Sequence, residues 1–427
     1  MVRKDAYILL REFEKKHYIP QTSFEYFNKI YSNEDMALLK NLVWGTIRNL
    51  IKIDWYLSFL VKNLKKTPPA SKWMLRLGAY QILNGFKEYV AVNETVKIAK
   101  NKRIRGFVNA TLKNLIRKKA ELALKEPIWV KYSIPEWLYN YLKKYFPEDY
   151  VMEFMKKSYS VNPTTLRTNT LKTNREELIS LLKGININST ESKHSPYGIT
   201  IDKAGMAIEK TDLYKNGYFY IQHESSQIIP LILNPKSNER ILDMCSAPGG
   251  KTTELAQIMN NSGIIDALDI DIDRLELVEK NAERLGIKII NTKLISGDEY
   301  IAEKYDKILL DAPCSSAGTS SIHPEVLHRI NIDDFVNYSN IQKKLLENAI
   351  ENLLKPGGTL VYSTCTISNE ENTQNMKYLF EKYNNITFEK IDLSLYNIKG
   401  YYDGYGYYFY PDETLIPFYV CKIVKTN

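Results

Sequence analysis

From about residue 226 onward one pattern recurs: a short apolar run, a break into small or acidic residues, then a stretch at helical spacing. Such runs fall at 240–244, 264–269, 288–294, 307–311 and 359–363, with a weaker one at 387–391 and a last one at 418–424. Helical spacing occupies 252–259, 274–285 and 333–354. Buried strands alternating with helices predict an α/β domain built on a doubly wound parallel sheet with right-handed crossovers. Ligands of such sheets bind beyond the carboxyl ends of the strands, so residues just after each apolar run are the candidates for function.

With 427 residues the chain exceeds one ordinary core and predicts two or three domains. Residues 1 to about 122 read as helices, with Leu39, Leu42, Val43, Ile47 and Leu50 on one helical face. Between about 128 and 225 helices mix with strands: 136–145, 150–159 and 175–182 are helical, 163–171 is extended, and the polar 188–196 reads as a surface loop. The expected division is therefore an all-helical domain over 1–125, a small α+β domain over 126–225 and a catalytic domain over 226–427.

The net charge of +8 is unevenly spread: residues 1–125 carry +15 and the remainder −7. Eight Lys or Arg and no acid lie between Lys100 and Lys119. A front domain that contacts nucleic acid accounts for this, against the plainer alternative of a lysine-rich solvated surface. No stretch of about eighteen apolar residues exists to span a membrane, and the first residues lack a signal core. Four cysteines without C-x-x-C spacing suggest neither a disulfide framework nor a zinc site, and fit reduced thiols in a cytoplasmic protein.

The first strand runs into Cys245, Ser246, Ala247, Pro248, Gly249, Gly250, Lys251 and Thr252, then a helix. Glycines there let backbone approach a ligand, and the helix amino end favours carboxylate or phosphate. A P-loop is the alternative, but Cys245 replaces its first glycine and Pro248 stiffens the turn. Asp269, at the tip of the second strand, is placed to accept both ribose hydroxyls of a nucleoside cofactor; Asp271 is the near alternative, or a helix cap. Asp298 ends the third strand and is a candidate for an adenine amino group, while Asp306 falls at the opposite end of the sheet.

Cys314 and Cys365 each follow a buried strand, one in Asp311-Ala312-Pro313-Cys314-Ser315 and the other in Ser363-Thr364-Cys365-Thr366. With residues 245–252 these motifs resemble the signature of RNA cytosine-5 methyltransferases of the Nol/Nop/Sun family. Residues 44–48, 75–81, 92–94 and 106–109 resemble the NusB-like domain of its bacterial Fmu/Sun/RsmB branch, and 166–169 and 221–226 resemble that branch's middle region. The resemblance implies a Rossmann-like methyltransferase domain preceded by a NusB-like domain and a small α+β domain. S-adenosylmethionine would be held by 245–251, Asp269, Asp298 and Asp311. Cys365 would be the nucleophile at C6 of cytosine, Cys314 would assist release, and Asp311 would hydrogen-bond the base near N3. Lys251 would aid loop geometry or polarise the site. The implied substrate is a cytosine of small-subunit 16S rRNA before the subunit is complete, met by a monomer without a metal. A tRNA target and a non-catalytic assembly factor are the alternatives. The loop 317–324 lacks the family's arginines before His323-Pro324, and the tail at 410–418 lacks its Gly-rich wording.

Overall fold

The computed structural model describes residues 2–20, 22–204 and 207–426. They form two compact units, Met1–Tyr159 with Ile322–Arg329, and Ser160–Ser321 with Ile330–Asn427.

The first unit is helical: α1 (Val2–Lys16), α2 (Thr22–Asn28), α3 (Asn33–Arg48), α4 (Leu50–Ser58), α5 (Pro69–Leu83), α6 (Glu88–Ile98) and α7 (Lys102–Ala123), then shorter helices at Ile128–Lys131, Glu136–Tyr145 and Glu148–Lys157. Their starts are chemically marked. Ser32 accepts from Asp35 N to cap α3, Asn101 accepts from Ile104 N to cap α7, and Pro69 opens α5. Leu39, Leu42, Val43 and Ile47 are buried with Trp73, Leu75 and Leu112 in one core. Residues 322–329 complete this unit. His328 Nε2 donates to Ile47 O at 2.8 Å, and its ring stacks on Tyr159. Burial pushes His328 down to about 4, so the imidazole is neutral.

The second unit begins with a small antiparallel sheet of β1 (Thr164–Thr168), β2 (Ile187–Glu191), β3 (Gly198–Ala204) and β4 (Phe219–Ile221), in the order β2-β3-β1-β4. Leu178 and Leu182, from the helix Arg175–Gly184, pack with Leu166, Ile187, Ile199 and Phe219 of this sheet. The surface loop expected at 188–196 is not what forms. Ile187–Glu191 is an edge strand, and His194 and Ser195 are buried because their N–H groups donate to the carboxylate of Glu224 at 2.7 and 2.9 Å.

The large sheet contains β5 (Arg240–Asp243), β6 (Ile264–Asp269), β7 (Ile290–Leu294), β8 (Tyr305–Asp311), β9 (Leu354–Thr364), β10 (Ile386–Glu389), β11 (Gly400–Tyr402), β12 (Tyr407–Phe409) and β13 (Tyr419–Lys425). Its order is β11-β12-β13-β9-β8-β5-β6-β7, with β10 paired to β13. Strands β7 through β9 in that path are parallel, as the alternating pattern predicts, and β13 then runs antiparallel to β9. This is a Rossmann-like fold. The strand order reverses where β5 lies between β6 and β8, the place where such sheets open a crevice. Asp306 sits at the far end, accepting from Arg240 N at 2.8 Å.

Candidate active site

Two loops at the carboxyl ends of neighbouring strands bring the thiols together. Strands β8 and β9 pair in parallel with Asp311 opposite Ser363, so Cys314 and Cys365 leave the sheet side by side. Their sulfur atoms are 3.4 Å apart. Ser316 Oγ lies 3.6 Å from the sulfur of Cys365 and 4.0 Å from that of Cys314. Gly318 N donates to Cys365 O at 3.0 Å, and a Cβ at Gly318 would stand 2.6 Å from Pro417 O and 2.9 Å from Cys365 O, so only glycine lets the loop close this tightly. The Cys314 hydrogen bond lowers Cys365, helped by Ser316 and the nearby Lys251 against burial. The same bond and burial raise Cys314. One thiol is thus disposed to be the thiolate and the other to keep its proton.

Lys251 and Asp311 form the second half of the site. Lys251 Nζ donates to Asp311 Oδ2 at 2.6 Å, and Ser363 Oγ donates to Asp311 Oδ1 at 2.7 Å. Burial alone would lower Lys251, but Asp311 outweighs it and raises the ammonium's pKa. A half-buried cation is therefore fixed beside both the carboxylate and Cys365. Cys421 lies elsewhere, buried in β13 with its thiol 3.4 Å from Tyr405 O.

A cavity of about 390 Å³ opens at the strand ends, and Cys245, Ala247, Asp269, Asp311, Cys314 and Cys365 all line it. A smaller one of about 200 Å³ shares Cys245, Ala247 and Asp311 with it and adds Ser246, Pro248, Gly250 and Lys251, with Tyr220 and Gln222 on the wall. Gly249 reaches neither cavity. It turns the loop with a left-handed φ of 97°, and a Cβ there would lie 3.0 Å from Val278 Cα. Asp269 is 7% exposed and accepts from Ala247 N and Asp271 N at 3.1 and 3.2 Å. Asp271 instead caps the helix Ile272–Leu285 by accepting from Arg274 N. Asp298 accepts from Ser296 Oγ; its neighbours Ser296 and Gly297 line the larger cavity and Asp298 itself does not.

Several groups of the site have roles that the sequence does not announce. Ser316 is a non-glycine residue with φ of 60°. Glu371 is fully buried, accepts from Ser315 N at 3.0 Å and from Gln342 Nε2 at 3.0 Å, and is raised to about 7 by burial. It anchors the backbone directly after Cys314. Arg167, 1% exposed, donates from β1 to Gly250 O and to Thr253 Oγ1 at 2.9 Å, tying the small sheet to the loop 245–250. Ser363 has a readable signal: it lies in the same short motif as Cys365, within the last two residues of β9.

Family models match along the chain in order: the NusB family over 3–117, the ferredoxin-like domain of RsmF/B-like methyltransferases over 134–209, and 16S rRNA methyltransferase RsmB/F over 230–424. A probable ribosomal RNA small subunit methyltransferase B of Bacillus subtilis is 33% identical over 361 residues, covering 80% of this chain and 79% of that protein. The chain belongs to the RsmB/F methyltransferase family. A 28S rRNA (cytosine-C(5))-methyltransferase of Mus musculus is 38% identical over 268 residues, 61% of this chain and 34% of that one. In fold, the chain is similar to the crystal structure of PH0851, with a TM-score of 0.80 over 99% of both chains at 24% identity. This RsmB/F member is an S-adenosylmethionine-dependent RNA (cytosine-5)-methyltransferase with a NusB-like helical domain.

The larger cavity fits that cofactor. Asp269 offers carboxylate lone pairs for hydroxyls at a strand tip, Ile270, Ile341 and Leu345 offer an apolar wall for a flat heterocycle, and the volume lies in the roughly 300–1,000 Å³ range of small-molecule sites. No helix of the described residues is long and apolar enough to cross a membrane.

Proposed function

We propose that this RsmB/F enzyme methylates C5 of a specific cytosine in small-subunit 16S rRNA by a two-cysteine mechanism, acting as a cytoplasmic monomer on free or partly assembled RNA. The observation that carries the reading is the 3.4 Å approach of two thiols beside a Lys251–Asp311 ion pair at the mouth of the cofactor cavity. The target base reaches such a strand-end pocket only when unpaired or flipped out. The Cys365 thiolate, favoured by Cys314, Ser316 and Lys251, attacks C6, and the C5–C6 π electrons become available at C5. Bound S-adenosylmethionine supplies an electrophilic methyl. Asp311, held by Lys251 and Ser363, hydrogen-bonds the base edge near N3 and favours attack at C6. Cys314 then assists the elimination in which the C5 proton leaves and the S–C6 bond breaks.

The cofactor would lie along Cys245, Ser246, Ala247, Pro248, Gly250 and Lys251, a loop turned by Gly249, with Asp269 and Asp311 as its carboxylates and Asp298 behind the wall formed by Ser296 and Gly297. Capping of the following helix by Asp271 favours Asp269 for the ribose. The domain over 1–125, with its +15 net charge, would position the RNA through phosphates. Names of relatives support the small-subunit substrate. Bisulfite sequencing of total RNA from a deletion strain, with and without the restored gene, tests it. One 16S cytosine that gains and loses protection with the gene is the expected result; protection changing only in tRNA overturns the rRNA target.

A further inference from the structure

The first unit holds two adjoining cavities of about 390 and about 690 Å³ that share Val61, Lys62 and Asn63. They lie along the connection between α4 and α5, and the start of α7 walls the larger one. Besides Arg76, five cations line them: Lys62, Lys65, Lys66 and Arg103 are exposed and Lys72 is half-buried. The single acid on these walls is Asp54, and Arg76 already takes both of its oxygens at 2.8 and 2.6 Å. Among the described residues none of the five forms an ion pair, whereas other lysines of the unit do, Lys52 with Glu126 and Lys119 with Glu88. Phe107 lies on the same wall and is 38% exposed.

Unpaired like charges repel one another, and a polyanion relieves that repulsion. An exposed aromatic ring among them adds a stacking face for an unpaired base, the combination by which proteins bind single strands. We infer that this double cavity docks a single-stranded stretch of the RNA substrate away from the target nucleotide, phosphates on the lysines and Arg103 and a base on Phe107. The inference rests on the RNA-methyltransferase reading and relocates the contact. Of the basic run 100–119, Arg105 is spent on Ala99 O and Lys119 on Glu88, and of the run's basic residues only Arg103 lines the cavities.

The test uses the full chain and two probes, a fluorescent 12-nucleotide uridine RNA and a duplex of equal length, with affinity measured across a salt series. In the variant Lys62→Gln/Lys65→Gln/Arg103→Gln, the slope of log affinity against log salt should fall by about two, from roughly 0.7 per lost single-strand phosphate contact. Phe107→Ala should weaken the single strand by roughly tenfold, within the range for one stacked base, and leave the slope and the duplex unchanged. With long rRNA, KM should rise while kcat and cofactor affinity hold. An unchanged slope in the triple variant, or an equal fall in a Lys113→Gln/Arg117→Gln control, overturns the site. Equal loss on duplex and single strand in Phe107→Ala overturns the stacking contact. Should wild type bind the uridine RNA through these residues yet methylate no RNA, the enzymatic reading fails and the docking site stands.

Discussion

The sulfur of Cys314 stands 3.4 Å from that of Cys365, nearer than Ser316 Oγ is to either. At that distance one thiol can donate to the other's sulfur, lowering Cys365 and raising Cys314, and in the proposed mechanism the two act in different steps. Replacement of Cys365 by Ala takes away the proposed attacking atom while leaving Asp269 and the loop at 245–250 in place. Methyl transfer to unmodified rRNA should drop by on the order of 10⁴-fold or more, the scale of losing a covalent nucleophile. Cofactor binding, followed by calorimetry, should persist; appreciable turnover by the variant would remove Cys365 from this role.

Cys314→Ala leaves the proposed nucleophile but removes the group proposed to assist elimination. Enzyme mixed with rRNA and cofactor should then accumulate as a species of retarded mobility on a denaturing gel, sensitive to ribonuclease. Complete absence of that band alongside normal turnover counts against Cys314.

Lys251 supports Cys365 electrostatically, because a cation nearby favours the thiolate. In Lys251→Met that help is gone and the Cys365 pKa rises. The acid limb of the kcat/KM profile should move to higher pH, and thiolate at neutral pH should fall about tenfold for every pH unit the limb travels. Activity should partly recover on the alkaline side. A profile of lowered height and unmoved limb would instead mean that Lys251 acts on substrate placement alone.

Asp412 in the tail pairs with the buried His194 at 2.9 Å and also accepts from Thr414 N and Leu415 N. Against burial, the His194 bond and the two amides hold Asp412 down at about 2. Burial alone would lower His194, yet Asp412 and Glu224 raise it. The signs give a window. The aspartate contribution is present above its ordinary 3.8 and lost as pH falls through about 2; the histidine contribution is present below 6.5 and lost as pH rises through its raised value. Asp412→Asn should lower Tm most between about pH 4 and 6.5, with the difference shrinking on both sides. A Tm difference independent of pH would exclude the ion pair as its source.

Much of this protein is readable from its residues. The parallel strands fall within one or two residues of their apolar runs except where β9 begins five residues early, at Leu354, across Lys355-Pro356-Gly357-Gly358. The thiols are legible because both follow such runs. Strand β2 is not, since Ile187–Glu191 is a polar edge held by backbone pairing to β3 rather than by an apolar face. The hairpin of β11 and β12 has only three residues per strand, too few for a period to register. Within the site, the Lys251–Asp311 bond joins residues sixty positions apart, and the Glu371–Ser315 bond fifty-six. Such pairings depend on the closed fold, and neither member announces its partner. In the tail, Asp412 organises the turn at 412–415 and holds His194.

The helical unit is made from two separated pieces of chain, its own 159 residues and the octapeptide ending at Arg329. Genetic shuffling that moved the amino-terminal portion alone would carry away the neighbours of His328, Val326 and Leu327, leaving those side chains stranded within what remained. A chain cut after Tyr159 would accordingly open the now buried Val326 and Leu327 to water, an apolar surface that favours association.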